Sequence, residues 1–153
     1  MITLTLPYPI SANRYWAHRV ITPKGGRPMA LTYVTPEAKA YRDQVQACCK
    51  AAGIREPLFG RVVLELKLYP HRPLDWKTRM RKYGDLWDDT VQCIDLGNAE
   101  KVLSDALQGV VIGDDKRFRR IVLDRMEPDG GEARVEVCVT KLVSAVPKQL
   151  ELA

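Results

Sequence analysis

One segment of the sequence, GRVVLELKLYP at residues 60–70, limits the fold more than any other. Its alternating apolar positions are Val62, Leu64, Leu66 and Leu68. Glu65 and Lys67 fall between them, and successive side chains of a strand point to opposite faces of a sheet. The alternation therefore predicts a half-buried strand. A chain with such a strand must build a sheet that has one covered face and one face open to solvent.

Two helices are predicted to cover that face. The first has Thr35 as its N-cap, Pro36 at its first position and Gly53 as its stop. The second is predicted over residues 99–108, with Asn98 as its cap and Gly109 at its end. Its apolar positions follow the spacing of one helical face: Ala99, Val102, Leu103, Ala106 and Leu107.

Three further strands are predicted within residues 2–10, 119–126 and 133–142, the last two joined by the turn EPDGGE. Segments 11–34 and 71–92 are predicted as loops, the first because it is rich in proline and glycine. The prediction is a single α+β domain over residues 1–143, with a mixed sheet of about four strands and two main helices packed on it. Residues 144–153 are predicted to be a short tail.

Composition is that of a globular protein, with 46% hydrophobic and 28% charged residues in 153. No apolar run approaches the roughly 20 residues that span a bilayer. The first residues do not resemble a signal peptide, so we expect a cytoplasmic protein with no membrane association. The four cysteines lack the spacing of zinc ligands, which favours buried free thiols.

Positive charge is concentrated in two runs, although the net charge is only +5. Residues 71–82 carry five Lys or Arg against one Asp, and residues 116–120 carry four. Each run is either a phosphate-contacting surface or a solvated charged face. Three aromatic residues lie in or just after the first run, and either stack on unpaired DNA bases or pack the loop on its own domain. These are Trp76, Tyr83 and Trp87.

An acidic motif lies between the two runs. In CIDLGNAEKVLSDALQG, residues 93–109, Asp95 precedes the predicted helix, and the pair Asp114–Asp115 follows it. Carboxylates that converge from two loops suit Mg²⁺, if the chain folds back along the sheet and brings Asp115 near Asp95. Lys101 would then lie beside the scissile phosphate. The alternative is a surface turn in which Lys101 pairs with Asp105 at i+4.

Three segments, taken in order, resemble the RusA family of Holliday-junction resolvases, which are encoded largely by phages and prophages. LTLPYPISANRYW resembles the family's opening strand and its Asn-Arg-Tyr element, and TPEAKAYRDQV its first helix. DLGNAEKVLSDALQGVVIGDD resembles the family signature Asp-x-Asp-Asn-x-x-Lys, followed by a helix with Asp-Ala-Leu and then Asp-Asp. The resemblance implies a homodimeric, Mg²⁺-dependent endonuclease that cuts four-way DNA junctions by paired nicks in a bacterial or phage-infected cell.

The resemblance also implies site residues. Asp95, Asp114 and Asp115 match metal-binding positions, and Asp95, Lys101 and Asp115 would be catalytic. We expect DNA contacts from the Asn-Arg element and from the two basic runs: Asn13, Arg14, Lys77, Arg79, Arg81, Lys82, Lys116 and Arg117. His18 and His71 have no partners at ligand spacing and are given no catalytic role.

One position departs from the signature, because Gly97 stands where the family has its second Asp. Three explanations remain open. Another acid supplies the oxygen, with Glu100, Asp89 and Asp88 the nearest. A water replaces it, with weaker metal binding. Or the protein binds branched DNA and cleaves it weakly or not at all. A basic structural protein without a DNA role is disfavoured by the ordered motifs.

Overall fold

The computed structural model of the protein describes residues 1–143, which form six strands, four α-helices and two short 3-10 helices. The strands are β1 (Ile2–Pro7), β2 (Trp16–Ile21), β3 (Met29–Val34), β4 (Val62–Tyr69), β5 (Phe118–Arg125) and β6 (Arg134–Lys141). The α-helices are α1 (Ala12–Tyr15), α2 (Pro36–Ala51), α3 (Trp76–Tyr83) and α4 (Leu96–Leu107). The 3-10 helices are Gly84–Thr90 and Asp115–Arg117. The predicted tail lies outside the described residues.

Four strands form the main sheet in the order β1-β6-β4-β5. Strand β6 is antiparallel to both β1 and β4, whereas β5 runs parallel to β4. The prediction of one α+β domain with a mixed four-strand sheet is therefore confirmed. The strands β5 and β6 are consecutive in the chain but do not pair, because β4 lies between them.

The predicted half-buried strand is β4, and its alternation is confirmed. Its four apolar positions are at most 1% exposed, whereas Glu65 and Lys67 are exposed on the other face. Helix α2 packs against β1, and α4 packs against β4 and β5. The apolar face predicted for α4 is buried at all five of its positions. The main core thus lies between the sheet and these two helices.

Helix α2 begins as predicted. The Thr35 side chain accepts a hydrogen bond from the Ala38 N–H at 3.2 Å, and Pro36 is the first helical residue. Gly53 follows the helix with a φ of +83°, in the left-handed region that glycine adopts most readily. The four cysteines are free thiols, but only Cys49 is buried and the others are half-buried.

The predicted loop over residues 11–34 is wrong. It contains α1 and an antiparallel hairpin of β2 and β3, in which Trp16 pairs with Val34 and Ile21 with Met29. Proline and glycine are concentrated in the tip, residues 22–28, so their density marks a turn between two strands and not a long loop.

The predicted loop over residues 71–92 is also wrong, because it forms α3 and the 3-10 helix Gly84–Thr90. Trp87 anchors this segment: its side chain is 2% exposed, and its indole N–H donates to Glu127 Oε1 at 2.6 Å. Arg125 binds the segment too, through the carbonyl oxygens of Asp88 and Val91. For Trp87 the packing interpretation is therefore the better one.

A polar network around Tyr15 joins α1, α2 and α4. The buried Tyr15 hydroxyl donates to the Asp105 carboxylate and accepts from Arg42 Nε at 2.6 Å. Arg42 also forms an ion pair with Asp105. Burial, followed by the hydrogen bond to Asp105, raises the pKa of Tyr15 to about 12. The network fixes the end of α1, and with it the start of the β2–β3 hairpin.

The fold is expected to lose stability above pH 10. Burial raises the pKa of both Tyr8 and Tyr15 from 10.0 to about 12. Because the folded pKa lies above the unfolded one, this stability is complete below pH 10 and is lost as pH rises toward 12. The contribution of the buried Tyr15 is at most about 3 kcal/mol, and that of the half-buried Tyr8 is smaller. Urea unfolding at pH 8 and at about pH 11 measures the loss, and Tyr15→Phe should lose less between the two pH values. An equal loss in Tyr15→Phe would contradict the assignment to Tyr15.

Candidate active site and DNA-binding surface

Asp95 begins α4 and is its N-cap, so the prediction of Asn98 as the cap is wrong. Asp95 Oδ1 accepts from the Asn98 backbone N–H at 2.8 Å, and the Asn98 side-chain amide donates to Oδ2. Aspartate and asparagine are both good N-caps. Because Asp95 precedes Asn98, α4 begins at Leu96, three residues earlier than predicted. The hydrogen bonds from Asn98 hold the pKa of Asp95 below its usual value. A charged, solvent-exposed carboxylate therefore stands at the start of α4.

This carboxylate lies at the sheet edge where β1, β4 and β5 end. Tyr8 follows β1, and its hydroxyl accepts from the Ile94 N–H at 2.8 Å. Arg125 is the last residue of β5 and donates to the Val91 carbonyl at 3.0 Å. The two contacts bind the segment before Asp95 to both sides of the same edge. Ligand sites of sheets with parallel strands commonly lie beyond this carboxyl edge.

A groove of about 770 Å³ opens beside Asp95. Arg14 and Arg79, both predicted to contact DNA, line it together with Asp95 and Asn98. Arg79 is held by Asp75 Oδ1 at 2.9 Å and by the Thr90 carbonyl at 2.8 Å. His71 lines the groove as well, and the sequence offered no signal for it beyond its position in the basic run.

Lys101 does not pair with Asp105, which is engaged by Tyr15 and Arg42. The Lys101 Nζ lies 4.9 Å from the centre of the Trp16 ring instead. A shallow second groove joins Lys101 to Asn13 and His18. Lys101 is exposed six residues beyond Asp95, about 9 Å and between one and two turns along α4. Its ammonium group is thus available to an anion bound beside the start of α4.

Asp114 and Asp115 lie at the opposite sheet edge, where β4 and β5 begin. Asp114 Oδ1 accepts from the Lys116 N–H at 2.9 Å, and that contact lowers the pKa of Asp114. The short helix Asp115–Arg117 then leads into β5, whose first residue, Phe118, pairs with Val62 at the start of β4.

The structure does not bring Asp95 and Asp115 together within one chain, contrary to the expectation that the chain folds back. The 12 residues of α4 separate them, a length of about 18 Å. Because β5 is parallel to β4, the chain must cross the whole sheet before β5 can begin. Within residues 1–143, no group of three or more His, Cys, Asp or Glu side chains could hold a metal ion. Among these described residues, the expected carboxylates do not form such a group.

The space at Gly97 remains open. A Cβ placed there would lie 3.5 Å from Asp95 Oδ1 and meet nothing nearer. Of the acids considered as substitutes, Glu100 accepts from the Ser104 hydroxyl at 2.6 Å, and Asp88 and Asp89 belong to the 3-10 helix Gly84–Thr90. A Cβ, the first atom of any side chain, therefore fits at position 97 without a clash.

The family profile described as Endodeoxyribonuclease RusA matches residues 7–140. The chain belongs to the RusA family. The matched residues include every predicted site residue, from Asn13 to Arg117. No curated protein matches the chain significantly. Family membership makes the protein an endodeoxyribonuclease that acts on DNA in the resolution of Holliday junctions, and RusA nucleases generally depend on a divalent metal.

The exposed basic residues predicted to contact DNA in this RusA-family chain lie mainly in two segments. Lys77, Arg81 and Lys82 are exposed on α3, in the segment that ends at the Asp95 edge. Lys116 and Arg117 are exposed next to Asp115. Of the aromatic residues, Trp76 is half-buried with the Arg72 guanidinium 4.2 Å from its ring centre, and Tyr83 is 46% exposed. In the part of the chain that the structure describes, no helix is long and apolar enough to cross a membrane.

Proposed function

We propose that two copies of the chain form a Mg²⁺-dependent resolvase that cuts a four-way junction by paired nicks. Its setting would be the cytoplasm of a bacterial or phage-infected cell. The observation that carries the proposal is the position of Asp95 and Asp115 at opposite ends of α4, inside the region matched by the RusA family. A site that needs both carboxylates must then take them from two chains.

A free edge of the sheet supports such a dimer. Among residues 1–143, β1 and β5 are the two edge strands, and β5 has β4 on one side only. Two copies that pair antiparallel through β5 would form a continuous sheet, because an unpaired edge presents free N–H and C=O groups. In that arrangement the start of one β5 meets the end of the other, so Asp115 of the partner subunit would approach the Asp95 edge. A two-fold dimer would contain two such sites, as paired nicking requires.

Each site residue has a role in this scheme. Asp95 and Asp115 of the partner subunit, with Asp114 beside it, would hold the ion through carboxylate oxygens, the ligands Mg²⁺ prefers. A bound Mg²⁺ would supply activated water and neutralise charge on the phosphodiester. Lys101 would bind the scissile phosphate, since its ammonium group is exposed on the same helix, about 9 Å along α4 from Asp95.

The junction arms would lie across the basic surface around both sites. Asn13, Arg14 and Arg79 line or border the grooves beside α4. The exposed cations of α3, Lys77, Arg81 and Lys82, together with Lys116 and Arg117, would bind phosphates farther out. Contacts to phosphate position DNA without specifying its sequence, so binding should be strongly salt-dependent.

Gly97 favours a second candidate, a branched-DNA-binding protein with weak or no cleavage. Glycine offers no side-chain ligand where the signature has a carboxylate. Divalent-metal sites lose affinity as carboxylates are removed. Both candidates predict tight junction binding, and only the first predicts nicking.

The deciding experiment measures nicking of a synthetic four-way junction in Mg²⁺ or in EDTA. We expect symmetric nicks that need Mg²⁺, and we expect Gly97→Asp to lower the Mg²⁺ concentration at half-maximal rate by roughly tenfold, since it adds a carboxylate where the site is open. Gly97→Ala is the matched control, because it changes the backbone in the same way without adding an oxygen. Binding without nicks by the unmodified protein, and nicks only in Gly97→Asp, would establish the second candidate instead.

A further inference from the structure

The β2–β3 hairpin is a separate arm. Among the residues that the structure describes, its two strands pair with each other and do not join the main sheet. Large apolar side chains remain exposed on it, Val20 at 71% and Met29 at 54%. A two-stranded hairpin alone is marginally stable in water, so an arm of this kind is expected to have a partner.

The arm is attached to the rest of the domain at its base, where β2 begins and β3 ends. The Thr35 N–H donates to the Tyr15 carbonyl at 3.0 Å, and the Thr35 hydroxyl donates to the Arg14 carbonyl at 2.6 Å. The rings of Tyr15 and Trp16 lie 4.3 Å apart, and Lys101 of α4 lies over Trp16. The orientation of the arm at its base is therefore set by residues adjacent to the proposed site.

The arm carries uncompensated positive charge. The first 36 residues contain no Asp or Glu, and the arm contributes three cations: Arg19, Lys24 and Arg27. All three are exposed, Arg19 with its guanidinium 5.6 Å from the Tyr33 ring centre and the other two at the tip. Such a surface is complementary to a polyanion.

The arm is also continuous with the proposed active site. The groove that contains Lys101 is lined by His18 and Thr32, one from each strand of the arm, whose side chains are hydrogen bonded at 2.9 Å. A DNA strand bound at Asp95 and Lys101 would reach the arm without leaving the surface.

We propose that the hairpin of residues 16–34 lies in the major groove of one duplex arm of the junction and binds its phosphates through the cations of its tip. This inference rests on the proposed function, since it extends the same DNA surface. The major groove of B-DNA admits a two-stranded β-ribbon. Strands of six residues span about 20 Å, the length of about six base pairs. A second copy of the chain, with a net charge of +5, lacks the net negative charge that the cations of the arm complement.

The test compares a tip variant, Lys24→Gln with Arg27→Gln, with a control of equal charge change, Lys50→Gln with Lys67→Gln. The control lysines are exposed at the end of α2 and on the open face of β4. Affinity for a four-way junction is measured from low to high salt, and bound DNA is footprinted with hydroxyl radicals. Because the proposed dimer carries two arms, we expect the tip variant to reduce the slope of log affinity against log salt by about 4. We also expect protection to shrink by about six base pairs on each of two junction arms, with no change in the control.

Sedimentation of both variants separates the remaining outcomes. A tip variant that matches the control in slope and footprint would overturn the inference. So would a tip variant that sediments as a monomer where the unmodified protein is a dimer, because the arm would then be a subunit contact. Failure of the unmodified protein to bind the junction would overturn the proposed function itself, a result that does not depend on the tip.

Discussion

Asp95→Asn is expected to reduce nicking of a four-way junction by roughly a hundredfold or more, because losing one group that stabilises transition-state charge costs about 10²–10³ in rate. Asparagine caps a helix as well as aspartate does, so α4 should begin at the same residue. Single-turnover nicking in Mg²⁺ measures the loss. Unchanged thermal unfolding and junction binding in the variant are the controls that assign the loss to chemistry.

Asp115→Asn should cause a loss of the same size, and mixing the two inactive variants tests where the site lies. If each site takes Asp95 from one chain and Asp115 from the other, a mixed dimer has one intact site and one with both residues changed. The mixture should then nick one strand of the junction without making the paired cut. If each site lies within one chain, every site in the mixture has a changed carboxylate and no nick appears. Single nicks in the mixture therefore support the two-chain site, and their absence contradicts it.

Tyr15→Ala is expected to cost about 3–5 kcal/mol of unfolding free energy, as other truncations of buried rings do. Its ring is fully buried, and its hydroxyl joins Arg42 to Asp105. Tyr15→Phe is the matched control and should cost about 1–3 kcal/mol, since it keeps the ring and removes only the hydroxyl. Urea unfolding of the three proteins measures both values.

The same substitution should loosen the hairpin, because it removes the ring that packs against Trp16, the first residue of β2. Limited proteolysis within residues 22–28 is expected to be faster in Tyr15→Ala than in Tyr15→Phe. Equal unfolding free energies for the two variants would show that the polar network, and not the buried ring, holds α1 in place.

Elements with strong local signals could be predicted from the sequence. The alternation of β4, the Thr35 cap of α2 and the buried face of α4 each depend on a few neighbouring residues, and each was confirmed. The hairpin over residues 16–34 and the helices over residues 76–90 were missed. Their burial is weak and their partners are distant: Tyr15 is held by Arg42 and Asp105, and Trp87 by Glu127. Local patterns contain no information about such contacts.

The separation of the acidic residues is a second property that local sequence patterns could not predict. Their order along the chain predicted the motif, and the family match covers it. Their separation depends on the direction of β5 relative to β4, which sequence spacing does not reveal. A parallel pair requires α4 to cross the sheet and places Asp95 and Asp115 at opposite edges. The metal-binding roles of Asp95, Asp114 and Asp115 remain predictions.

The position of β6 determines when the protein becomes able to fold. It is the last of the six strands to leave the ribosome, yet it lies between β1 and β4 and is the only strand that joins them. Until residues 134–141 are available, β1 has no neighbour in the sheet, and the nascent chain holds two incomplete halves. Contacts between such distant residues slow folding, because the intervening chain must be closed into a loop first. A nascent chain that still lacks β6 should therefore have no nuclease activity.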